Sequence, residues 1–125
     1  MAIQHKVIRL VPANWHLDVF LGGTKDERNE LMLSLFGIPD ELPNADDYVH
    51  VMQSTKRAQY KGHKRIILVV EKLDAKVVVH EMMHVLWRAN VLIGYEMNYE
   101  SQEWQATFME YLFVEIMDKK GYMKI

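Results

Sequence analysis

Short apolar segments alternate with longer amphipathic ones along this chain, and the periods separate strands from helices. Lys6 to Val11 (KVIRLV) is β-branched and closed by Pro12, which predicts a strand. Trp15 to Leu21 (WHLDVFL) predicts a second extended segment ending at Gly22-Gly23. Thr24-x-x-Glu27 has the form of a capping box, so a helix is expected from there to Phe36, with Gly37 as its stop and Pro39 just beyond. Ile38 to Asp47 carries two prolines and four acidic residues and is expected to be a surface loop.

Tyr48 to Gln53 and Arg65 to Glu71 are the next expected strands, flanking a turn at Gly62, in the manner of a hairpin. RIILVVE is the clearest strand in the chain and suits the centre of a sheet, whereas the shorter Tyr48 to Gln53 suits an edge. Asp74 is placed to cap a helix from Ala75 to about Asn90, against the strand preference of Val77, Val78 and Val79. After a break at Gly94, Asn98 is expected to cap a last helix, Tyr99 to about Lys120, stopped by Gly121. The predicted fold class is α+β: a small sheet, one early helix and two long C-terminal helices in one domain, residues 1–125.

Composition narrows the chemistry. The 125 residues are 50% hydrophobic and 26% charged with a net charge of −2, so neither disorder nor dedicated polyanion binding is expected. No cysteine is present, which removes disulfides and thiolate-ligated metal sites. No secretory h-region precedes Trp15 and no apolar run could span a bilayer, so a soluble, cytoplasmic protein without membrane contact is expected. Lys56, Arg57, Lys61, Lys64 and Arg65, with Tyr60 and His63 between them, form a basic stretch. It is expected to be a solvated hairpin; nucleic acid is the lesser alternative. Trp87, Trp104, Phe108 and Leu112, with Met82, Met83, Met109 and Met117, are expected in a helix–helix core.

His80-Glu81-Met82-Met83-His84 is the chemically specific segment. Four residues of helix put both imidazoles on one face, with Cβ atoms roughly 5–6 Å apart, close enough to share one ion. Glu81 lies about 100° around the helix from His80, beside that ion without ligating it, and can act as a general base toward water. An HExxH arises by chance in only roughly two of a hundred shuffled chains of this composition, so the motif carries weight.

A catalytic zinc needs a third protein ligand. No histidine follows His84, leaving Glu96, Glu100, Glu103 and Glu110 as downstream carboxylates. Glu103 is preferred: nineteen residues let the first helix finish, the chain reverse and a second helix run back. Glu100 suits a helix N-terminus, and Glu110, two turns further on, suits a supporting role. For stabilising an oxyanion, Tyr95 is the first candidate, with Tyr99 and His63 behind it.

VVVHEMMHVLW followed by SQEWQATFMEYL resembles the gluzincin branch of zinc metallopeptidases, and is similar to small phage and prophage proteins with a strand-helix-helix unit. The resemblance covers residues 65 to 118. It implies zinc ligation by His80, His84 and Glu103, Glu81 as catalytic base, and a peptide or protein substrate. Many gluzincins carry an Asp one turn after the ligand Glu; this chain has Thr107 there. Two other readings are weighed: a non-catalytic metal-binding phage morphogenesis or host-interaction protein, and a protease of nucleic-acid-bound substrates. The familiar forms of the latter use a third histidine. Oligomeric state is left open.

Overall fold

The computed structural model describes residues 3–10, 15–36, 42–43, 45–52 and 65–125. Strands β1 (Gln4–Leu10) and β2 (Trp15–Leu21) lead to helix α1 (Lys25–Phe36). Strands β3 (Tyr48–Met52) and β4 (Arg65–Val70), helices α2 (Ala75–Ile93) and α3 (Gln102–Met117), and a two-residue strand β5 (Met123–Lys124) follow. The fold is α+β, as expected.

One sheet runs in the order β3-β4-β2-β1-β5. β2 and β4 pair in parallel, with α1 in the connection between them; every other pairing is antiparallel. All six β4 residues are buried because helices cover both faces of the sheet. On one face Ile8, Leu10, Leu17, Val19, Ile66 and Leu68 pack against α2 and α3. On the other, Phe20, Ile67, Val69 and Tyr48 pack against Met32 and Phe36 of α1. Among the described residues no helix is long and apolar enough to cross a membrane.

Several local expectations hold. Thr24 and Glu27 exchange the reciprocal backbone hydrogen bonds of a capping box, both at 3.2 Å. Asp74 accepts the Lys76 N–H at 2.9 Å and starts α2. The valines after it are helical because Val78 joins the core, which outweighs their strand preference. β3 is an edge strand and β4 an interior one. The expected stop at Gly37, the Gly62 turn and Lys56 to Lys64 of the basic stretch lie outside the described residues.

Four expectations are corrected. Asn98 does not cap α3: it and Ser101 hydrogen-bond each other across a turn, and the helix starts at Gln102 with Ser101 as its N-cap. At the other end Lys6 reaches in from β1 to the carbonyls of Glu115 (2.6 Å) and Asp118 (3.0 Å), and α3 ends at Met117, short of Lys120. Arg65 is no part of a solvated basic surface; its guanidinium holds the fully buried Asp18 with Nε at 2.8 Å. Trp87 and Met83 stand outside the core, with Trp87 55% exposed, because the buried row of α2 is Val78, Met82, Val85, Leu86 and Ala89. Trp87 lies about 180° around the helix from Val78.

Candidate metal centre

Helix α2 carries the HExxH segment under the β3–β4 side of the sheet, while α3 packs beside it and meets β1 through the Lys6 and Tyr111 hydrogen bonds. With Val78 facing the sheet, His80 falls about 200° away and both histidines point outward. Both are exposed. Gly94 ends the helix at φ 75° with its N–H on the Asn90 carbonyl, a left-handed conformation that favours glycine.

The structure brings His80 and His84 together. Their ring centroids are 5.2 Å apart with the planes at 66°. Two imidazoles bound tetrahedrally to one zinc, at about 2.0–2.1 Å per nitrogen, would have centroids about 5 Å apart. Ring separation therefore fits the ion without moving the helix.

Glu81 is different in kind from its neighbours: only 7% of it is exposed. Burial raises its pKa above the ordinary carboxylate value, and the carboxylate of Asp47 adds to the rise, while His84 and His80 oppose it. Glu81 lies about 180° around α2 from Asn90, which bonds α3, so it sits on the flank away from α3. Asp47 is itself fixed by the Glu71 N–H, at 2.9 Å. Nothing in the sequence marks Asp47, an acidic residue in a loop thirty-four positions before Glu81.

The other expected site residues are not gathered here. Glu103 is exposed in the first turn of α3, about 160° around from Gln105, which begins the buried row Gln105, Phe108, Leu112 and Ile116. Tyr95 lies past the end of α2, its ring against that of Trp104 with centroids 4.9 Å apart and planes tilted by 34°. Ile93, the last residue of that helix, is already about 13 Å along the axis from His84. Tyr99 is 85% exposed in the following turn, and His63 lies outside the described residues. Among the described residues no three of His, Cys, Asp and Glu form a group able to hold a metal ion. The histidine pair has the spacing of two ligands of one ion, and among the described residues no third protein donor stands beside it.

Compared with protein-family models, curated proteins and solved structures, the chain matches none.

Proposed function

We propose that this chain is a zinc-dependent peptidase centred on His80, Glu81 and His84. The observation that carries the reading is the pairing of two exposed imidazoles at ligand spacing with an adjacent, buried carboxylate. A structural metal site has no use for that carboxylate, whereas hydrolysis needs a base beside the ion.

Zinc, when bound, supplies a Lewis acid that polarises a peptide carbonyl and makes water more acidic. His80 and His84 would hold it from the outer face of α2. Glu81 takes the proton from the attacking water and passes it to the leaving amine. Burial raises its proton affinity before any metal binds, and a cation held by the histidines would oppose that rise. β3 supports a peptide substrate: it is an antiparallel edge strand beside the Glu81 flank of α2, able to pair with an extended chain. By the gluzincin resemblance the third ligand would be Glu103 of α3, which among the described residues does not stand beside the histidines. The resemblance to phage and prophage proteins and the lack of cysteine suit a cytoplasmic setting, in the host if the gene is phage-borne.

The test is cleavage of a broad peptide library by zinc-loaded protein. Wild type should cleave, and Glu81→Gln should keep its zinc and cleave nothing. Zinc-loaded wild type that cleaves no peptide would leave a non-catalytic metal-binding protein as the better reading.

A further inference from the structure

We propose that the outer face of α2 and α3 pairs with the same face of a second copy of this chain, α2 of each copy over α3 of the other. Pairing of this kind needs no zinc, so it stands apart from the reading above.

Both helices pack on the same face of the sheet, side by side, and turn a common surface to solvent. On α2 that surface carries Met83, Trp87 and Val91, each four residues from the next, with Val91 76% exposed. Trp87 lies about 160° around the helix from the buried Val85. On α3 it carries Val114, exposed and about 160° around from the buried Leu112. Apolar side chains grouped on one face and this open to water mark an interaction surface.

Charge says what covers it. Every ionisable side chain that α2 exposes is basic or a histidine: Lys76, His80, His84 and Arg88. α3 has no basic residue, and it exposes Glu103 and Glu110. Although the helices are neighbours, among the described residues no ion pair joins the two sets. An acidic partner would meet the carboxylates of α3, and a basic one the cations of α2. A second copy satisfies both signs. A two-fold axis in the plane of contact can run along the helices or across them. Along them, it lays the basic row of each copy over the acidic row of the other. Across them, it lays α2 over α2 and like charge over like, which opposes association. The first arrangement is therefore the one the charges select. It also covers His80 and His84, so a pair closes the proposed zinc site to a peptide.

The test is sedimentation equilibrium of the metal-free protein, from the micromolar range to about 1 mM. Wild type should pass from the 14.8 kDa monomer to twice that mass, and less completely in high salt. Trp87→Ala should weaken pairing more than about 10-fold, as the loss of an interface anchor does. Lys76→Glu with Arg88→Glu, and separately Glu103→Lys with Glu110→Lys, should each stay monomeric. All four positions are exposed, and circular dichroism verifies the fold. Mixed, the two charge-reversed proteins should pair with each other. Wild type that stays monomeric, reversed variants that pair as well as wild type, or a mixture that does not pair overturns the proposal. Tighter pairing of the Lys76→Glu, Arg88→Glu protein with wild type than of wild type with itself would place α2 over α2, and overturns it too.

Discussion

Asn90 and Gln105 exchange amide hydrogen bonds in both directions across the two long helices, at 2.8 and 2.9 Å, and both residues are buried. Asn90 also donates to the Leu86 carbonyl at 2.8 Å, so its amide is committed to this one arrangement. A buried amide without its partner costs about 1–3 kcal/mol. Asn90→Leu alone should therefore destabilise by about that amount, and so should Gln105→Leu. The double Leu variant should recover much of the loss, because no orphaned amide remains. Urea denaturation of all four proteins gives the coupling; strictly additive losses would contradict a shared bond.

Acid should weaken the fold through Asp18. Burial alone would raise its pKa, but hydrogen bonds from His5 and Arg65, and their charges, outweigh this and hold it below the ordinary value. A carboxyl depressed in the folded state contributes stability that is complete above its unfolded pKa of about 4 and lost as pH falls through the lower folded value. Denaturation midpoints should drop between pH 5 and pH 3 by more in wild type than in Asp18→Asn. At pH 7 Asp18→Asn should itself cost about 3–5 kcal/mol, since the nearly buried Arg65 loses its counter-charge.

At high pH the corresponding weak point is Tyr48. Burial pushes its hydroxyl up to about 12 against an opposing influence of Arg28, and it donates to Asn29 Oδ1 at 2.7 Å. A pKa raised by folding gives stability that is full below about pH 10 and lost as pH rises through the folded value. Tyr48→Phe should lessen the alkaline decline between pH 10 and 12, at a neutral-pH cost of about 1 kcal/mol for the lost bond. An unchanged alkaline limb in Tyr48→Phe would remove Tyr48 from this role.

Gly23 tests the turn into α1. Its φ is +74°, and a Cβ there would stand 2.7 Å from Ile3 Cγ1. Its carbonyl and that of Gly22 accept from the buried Arg28, which also donates to the Asp46 carbonyl ahead of β3. Gly23→Ala combines a strained conformation with a clash and should cost about 1–3 kcal/mol, read from thermal or urea unfolding.

Much of this architecture is legible from local pattern. Trp15 to Leu21, Thr24 to Phe36 and Arg65 to Val70 are marked by alternation, by a capping box and by a run rich in Ile and Val, all of which act within a few residues. The HExxH pairing is equally local, because one helical turn settles it. Long-range relations are not encoded that way. The Lys6 contact that closes α3 joins residues more than a hundred positions apart, and the parallel pairing of β2 with β4 depends on which face α1 covers. Glu103 is such a case: spacing alone favours it as a partner of the histidines, and the described residues do not bring it beside them. Trp87 misleads for a related reason, since aromatic character suggests a core that its angle on α2 denies.

The central claim is that His80 and His84 hold zinc together, and metal content measures it most directly. Wild-type protein, saturated with zinc and dialysed, should retain about one zinc per chain. His80→Ala and His84→Ala should each retain almost none while keeping the helical signal of the wild type. Retention of a full equivalent by either variant, or none by wild type, would contradict the account.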